Sequence, residues 1–323
     1  MILSVQDLEV AFRVGPWFDR RTILAVARVS FDLSQGETFA IVGESGSGKT
    51  TLAHAINGLQ AISGGEVSFM GKKVEVSRAR AVQPLRRHMS MMFQDPVGSL
   101  SPRMKVGDLV AEPFVIHKIR KNLKKEVQRL LSLVGLPGDF ADRYPHQLSG
   151  GQARRIGVAR AIALDPKLII ADEPTAGLDV SVQGEVLNLL NDLREQLGLS
   201  MIFISHNLHV VHHVADRMAV MYLGRIVETG STEEVFRAPA HPYTATLLSA
   251  TPNPDPDKVH DRILLSSEVP SLLDRPAGCE FHTRCPWVQQ RCFNESPYLE
   301  GGQLKRVACH VPLEPGARPP PKG

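Results

Sequence analysis

The sequence predicts an α/β protein: a core with a parallel sheet, an N-terminal antiparallel β subdomain, an inserted helical subdomain and a small cysteine-containing C-terminal extension. Three observations predict this. Short apolar runs at Thr38–Val42, Leu168–Ala171 and Met201–Ile204 are interleaved with helical patterns, as parallel strands buried on both faces are. Each run delivers polar side chains at its carboxyl end, Lys49 with Thr50, Asp172 with Glu173, and His206, and ligands of open α/β sheets sit outside those ends. All four cysteines are gathered between Cys279 and Cys309, behind a stretch rich in Pro, Asp and Ser.

Residues Leu3 to Phe12 and Ile23 to Leu33 alternate as strands do, and the loop between them holds Trp17 and Phe18. Next, Gly43-Glu44-Ser45-Gly46-Ser47-Gly48-Lys49-Thr50-Thr51 fits G-x-x-x-x-G-K-[ST] between an apolar strand and the helical Leu52–Ile56. Three glycines let successive N–H groups point into one concavity, and the helix adds its positive end, so the nest suits a polyphosphate. Lys49 would reach the β/γ-phosphates and Thr50 would offer its hydroxyl to Mg²⁺. Without a ligand, the same stretch would be a glycine-rich turn. An adenine ring needs a flat apolar surface; Phe12 is the preferred supplier and Trp17 the alternative.

Gly65 to Met70 reads as a further strand, and Met89–Phe93 leads into Gln94. From Val97 to Tyr144 the texture is helical, with Val127, Leu130, Leu131 and Val134 at i, i+3, i+4, i+7. Ser149 is an N-cap for a helix reaching about Leu164, and the adjacent glycines bare a second anion-ready helix start. A helix over Val182–Leu197 buries Val186, Leu189, Leu190, Leu193 and Leu197. Asp172 is placed to hold the water shell of Mg²⁺ beside Thr50, and Glu173 to orient or deprotonate a water at the γ-phosphate side. Gln94 could bridge metal and attacking water, and His206 could bind the γ-phosphate and steady Glu173.

The bulk numbers agree with a soluble chain. Of 323 residues, 43% are hydrophobic and 22% charged, which allows a large core with an appendage. No apolar run approaches 18 residues and the N-terminus is no signal peptide, so a cytoplasmic protein is expected. A net charge of +3 is too small to argue for nucleic acid.

Gly43–Thr51, Gln94, Leu148–Gln152, Leu168–Glu173, Gly177-Leu178-Asp179 and His206 stand in the order and spacing of ATP-binding-cassette ATPases, and the resemblance covers roughly residues 1–250. It implies ATP and Mg²⁺ as cofactors, with Thr50, Gln94 and Asp172 around the metal and Glu173, His206 and Gln94 catalytic. It also implies that Leu148, Ser149, Gly150, Gly151 and Gln152, with Asp179, act in trans on ATP held by a partner's phosphate loop. Ala176 stands where a serine is commoner. Gln94 to Met104 and His241 to Ala250 resemble ATPases of the dipeptide, oligopeptide and nickel importers. The partners so implied are a homologous but different ATPase (a homodimer being the alternative), two membrane permeases gripped by the helical subdomain of about 95–145, and an external solute-binding protein. The chain would then sit peripherally on the cytoplasmic face of the membrane. A nucleic-acid or ribosome-associated cassette ATPase and a pure interaction module are the competing readings.

Residues 251–278 read as a linker and 279–323 as the extension with a Pro/Gly tail. Cys279, Cys285, Cys292 and Cys309 are grouped as thiolates that hold a metal are, without the C-x₂-C spacing of zinc knuckles. The extension resembles that of peptide-importer ATPases, which implies a [4Fe–4S] cluster; Zn²⁺ and free structural thiols are the alternatives.

Overall fold

The computed structural model describes residues 1–18, 20–74, 85–95, 98–250, 262–265, 267–302, 305–317 and 319. β1 (Leu3–Val14) and β2 (Arg21–Leu33) pair antiparallel, from Leu3 against Leu33 to Val14 against Arg21. The strands run two residues further into the connecting loop than their alternation suggests. β3 (Thr38–Val42) leads into α1 (Lys49–Ile56), after which β4 (Gly64–Phe69) and β5 (Lys72–Lys73) complete a four-stranded sheet in the order β2–β1–β4–β5.

Then follow β6 (Met89–Met92), α2 (Val106–Ile116), α3 (Leu123–Leu133), α4 (Gly150–Ile162), β7 (Leu168–Asp172), α5 (Val180–Leu197) and β8 (Ser200–Ser205). The chain continues through α6 (Leu208–Val214), β9 (Arg217–Tyr222), β10 (Arg225–Ser231), α7 (Thr232–Arg237), α8 (Pro242–Ser249), β11 (Glu300–Gly301) and β12 (Lys305–Val307). Among the described residues the second sheet has the order β11–β12–β10–β9–β3–β8–β7–β6. Its β6, β7, β8, β3 and β9 run parallel, and β10, β12 and β11 extend it antiparallel.

The strands alternate between two cores. Phe39, Ile41, Ile170, Ile202 and Ile204 pack with α1 and the N-terminal sheet. Ala40, Val42, Ile169, Ala171 and Phe203 pack with the helices beyond. Burial of both faces removes the polar alternation of a half-exposed strand, so these segments read as continuous apolar runs. In α3, Val127, Leu130 and Leu131 form the buried stripe and Val134 follows as the C-cap. Asn122 Oδ1 caps this helix by accepting from Lys125 N at 3.2 Å, and Gly135, with φ 69°, turns the chain away. α5 starts on Asp179 and ends on Gly198, whose φ is 60°. No helix among the described residues is long and apolar enough to cross a membrane.

Residues 251–261 and 266 of the expected linker lie outside the described residues, as do Pro96 and Val97 after Gln94 and residues 318 and 320–323 of the tail. The described remainder runs against the α/β core: Leu265, Leu272, Phe281 and Cys285 pack into the same apolar cluster as α2 to α6. Here β12 pairs with β10, and Lys305 reaches Glu228 at 3.2 Å. Glu228 is fully buried and also accepts from the backbone N–H groups of Ala240 and His241, both at 2.8 Å. Removing one partner of such a buried pair strands the other charge. Lys305→Met is therefore expected to lower unfolding stability by about 3 kcal/mol, read from the urea midpoint of the full-length chain.

Candidate active site

The loop after β3 curls through glycines at φ 155° (Gly43), 79° (Gly46) and 100° (Gly48). Two of them are required by space as well as torsion. A Cβ at Gly43 would stand 2.2 Å from Met221 O, and one at Gly48 would stand 2.3 Å from Ala25 O. Ser45, Gly46 and Thr50 are exposed, Glu44 and Thr51 partly so, and Ser47 is buried. Lys49 is buried in the first turn of α1, and its Nζ donates to Gly43 O (2.8 Å), Glu44 O (2.9 Å) and Ser47 Oγ (3.4 Å). Burial lowers its pKa, while the negative charges of Glu173, Asp172 and Glu44 work in the opposite direction.

Asp172, the last residue of β7, is 2% exposed. Burial raises its pKa against a hydrogen bond from the Thr50 hydroxyl, and its Oδ1 has no hydrogen-bond partner. A buried carboxylate oxygen beside a threonine hydroxyl is a hard oxygen donor set, and these residues fit Mg²⁺. Glu173 follows at φ 47°, a strained value for a residue with a side chain, and its N–H donates to Ile204 O at 2.9 Å. Both carboxylate oxygens are engaged: Gln94 Nε2 donates to Oε2 at 3.0 Å, and His206 Nδ1 lies 3.1 Å from Oε1. The ends of β6, β7 and β8 thus bring Gln94, Glu173 and His206 into one hydrogen-bonded chain.

The remaining sequence-predicted residues lie elsewhere. Ser149 caps α4, its Oγ accepting from Gln152 N at 3.3 Å while Gln152 Oε1 accepts from Ser149 N at 3.0 Å. Ser149 and Gly150 are exposed, Leu148 is half-buried, and a Cβ at Gly151 would stand 3.0 Å from Val182 Cγ1. Asp179 is exposed and caps α5 through Val182 N at 2.9 Å. Arg154 of α4 donates to Pro174 O and Ala176 O, tying that helix to the turn after Glu173. Phe12 pairs with Ile23 and is partly buried against the N-terminal core, whereas Trp17 is 82% exposed.

The sequence matches the ABC transporter family over residues 26–176, and the oligopeptide/dipeptide transporter C-terminal region over residues 227–292. It is 44% identical over 319 residues to the oligopeptide transport ATP-binding protein OppF of Salmonella typhimurium, covering 96% of each chain. It is 45% identical over 317 residues to the dipeptide transport ATP-binding protein DppF of Escherichia coli, covering 95% of this chain and 93% of that one. The chain belongs to the ATP-binding subunits of ABC transporters. Among solved structures, the dimeric post-hydrolysis form of the ATP-binding cassette MJ0796 bound to ADP and Pi resembles it with a TM-score of 0.65 at 26% identity, covering 72% of this chain and 99% of that one. The cassette is an ATPase that uses ATP and Mg²⁺.

Two contacts to the cassette's phosphate loop escaped sequence reasoning. The Tyr243 hydroxyl accepts from Glu44 N at 2.8 Å, and Arg284 pairs with the Glu44 carboxylate. These partners lie 199 and 240 residues away, and no periodicity or motif links residues over such a distance. The structure brings the four cysteines together without a ligating arrangement. Cys279, Cys285, Cys292 and Cys309 line one small cavity with His241, His282 and His310, which matches the expected grouping. Among the described residues, however, no set of three or more His, Cys, Asp or Glu side chains is arranged to hold a metal ion. Burial raises the pKa of three of these thiols, Cys279, Cys285 (to about 12) and Cys309 (to about 11). The Sγ atoms of Cys292 and Cys309 also face backbone N–H groups, of Gln289 at 3.5 Å and Val311 at 3.4 Å.

The raised pKa of Asp172 has a sign that can be checked. A carboxyl whose folded pKa exceeds its unfolded value loses stability as pH rises above the unfolded value and through the folded one. Asp172→Asn should therefore melt above wild type at pH 7 in EDTA without nucleotide. The difference should shrink as the pH falls through about 4, the ordinary Asp pKa, below which wild type carries the proton in both states.

Proposed function

We propose that this chain is one of two cassettes that power the import of peptides or related small solutes, peripheral to the cytoplasmic face of the membrane. Its partners are a homologous but different cassette, two membrane permeases and an extracytoplasmic solute-binding protein. The carrying observation is similarity over nearly the whole chain, C-terminal region included, to oligopeptide and dipeptide transport ATP-binding proteins. In this reading residues 1–250 form the cassette with its helical subdomain at about 95–145, 251–278 the connection and 279–323 the extension.

Glu173 orients and deprotonates the attacking water, with Gln94 and His206 fixing both of its oxygens. Lys49 turns from its loop carbonyls to the β/γ-phosphates, and the N–H groups of Gly43–Thr51 cradle them. Asp172, Thr50 and Gln94 would hold Mg²⁺, which would supply charge neutralisation at the phosphates. Phe12 supplies the adenine surface. The exposed start of α4, Leu148 to Gln152, and Asp179 complete the site of the opposite cassette, because a helix N-terminus with free N–H groups suits the γ-phosphate. The MJ0796 dimer, bound to ADP and Pi, is consistent with pairing of that kind.

For the extension, a [4Fe–4S] cluster, with Zn²⁺ as the alternative, rests on four thiols around one cavity and not on a ligating arrangement. Anaerobically isolated protein is expected to contain iron and acid-labile sulfide in equal amounts; the absence of both leaves the cysteines as free structural thiols.

Glu173→Gln should keep ATP binding, lower turnover by about 10²-fold or more and trap the ATP-bound pair. Captured from membranes with ATP, the variant should bring down a second, non-identical cassette and the permeases. Wild-type turnover would remove Glu173 from the mechanism, and recovery of copies of this chain alone would replace the heterodimer with a homodimer.

A further inference from the structure

The phosphate loop is held from outside the ATPase core. Arg284, in the C-terminal extension, donates from Nη1 to Glu44 Oε2 at 2.7 Å and from Nη2 to Glu44 Oε1 at 3.0 Å. The arginine side chain is 5% exposed and that of Glu44 31%. Its Nε donates to Ser267 O at 3.1 Å, and its guanidinium lies 5.8 Å from the Tyr222 ring centroid and 6.0 Å from that of Phe281. Every face of this cation is therefore committed to one geometry.

The ground it stands on is also fixed. Glu280, in the same turn, pairs with Arg225 at 2.9 Å and Arg275 at 2.5 Å, and Arg275 Nη2 donates to Leu24 O at 2.6 Å. Leu24 precedes Ala25, whose carbonyl confines Gly48. Tyr243, which binds Glu44 N, packs against both Tyr222 and Phe281 with ring centroids 4.7 and 5.4 Å apart. Glu44 is thus gripped at backbone and side chain, the second grip coming from the extension alone.

The chemistry of the site gives that grip a purpose. A carboxylate on the rim of a polyphosphate cradle repels the ligand and, if free to rotate, loosens the loop. A two-pronged guanidinium cancels the charge and pins the rotamer at once, which a lysine's single ammonium does not do. Ordering the loop before nucleotide arrives removes a cost otherwise met on binding. We propose that Arg284 is a positioning residue for ATP: acting through Glu44, it pre-orders and neutralises the phosphate loop, so that the C-terminal extension sets the cassette's nucleotide affinity.

The test is a two-residue cycle in the full-length protein, Arg284→Gln, Glu44→Gln and the double variant, read as the Kd of a fluorescent ATP analogue and as KM and kcat for ATP. Arg284→Gln should raise Kd and KM roughly tenfold, the worth of a charged hydrogen-bond pair, and leave kcat at saturating ATP within about twofold of wild type. In the Glu44→Gln background the same change should have no further effect on Kd, because no carboxylate remains to neutralise. A wild-type Kd for Arg284→Gln would overturn the proposal. So would an undiminished loss in the Glu44→Gln background, since the arginine would then act by some other route. If Arg284→Gln fails to fold, Arg284→Lys keeps the charge and loses the fork; it should still raise KM about threefold, and a wild-type KM there would be equally fatal.

Discussion

Lys49 carries a positive charge into the interior of the site, and the surrounding structure is arranged around tolerating it. Desolvation works against the ammonium, while three carboxylates and two loop carbonyls hold it charged and in place. The carbonyls are available only because Gly43 and Gly48 bring the loop within a Cβ's breadth of Met221 and Ala25. The carboxylates are available only because β3, β7 and β8 run parallel and end together. Loop geometry, strand order and charge balance are therefore one constraint seen at three scales.

The parts of this arrangement legible in the amino acids are those whose cause is local. Four successive apolar residues in β3 signal a strand with both faces covered, and the spacing of three glycines before Lys49 signals a phosphate cradle. Val127, Leu130 and Leu131 mark a helix by their period, and Ser149 is a residue type suited to capping one. Asp179 shows a limit of such reading: its role in capping α5 is local and visible here, whereas a role toward a second cassette requires a chain outside this fold.

What pattern does not encode is pairing at a distance. β9 lies beside β3 in the sheet, yet it comes into view only once β10 folds back on it. The grip of Arg284 on Glu44 and of Lys305 on Glu228 joins segments far apart in the chain, and a lone arginine or lysine carries no mark of its partner. The cysteines illustrate the converse. Their grouping invites a metal, but in the fold burial favours the neutral thiol at Cys279, Cys285 and Cys309.

The pairing of β12 with β10 has a consequence for the cassette as a polymer. Residues Glu228, Thr229 and Gly230 are matched to Val307, Arg306 and Lys305, so a strand from the far end of the chain seals the flank of the ATPase sheet. The outermost strand, β11, is only two exposed residues, one acidic, too short to template the addition of a neighbour. A chain severed after α8 would bare the hydrogen-bonding flank of β10 and invite self-association into insoluble material. The extension thus covers an edge of the sheet that would otherwise be open, independent of any ligand.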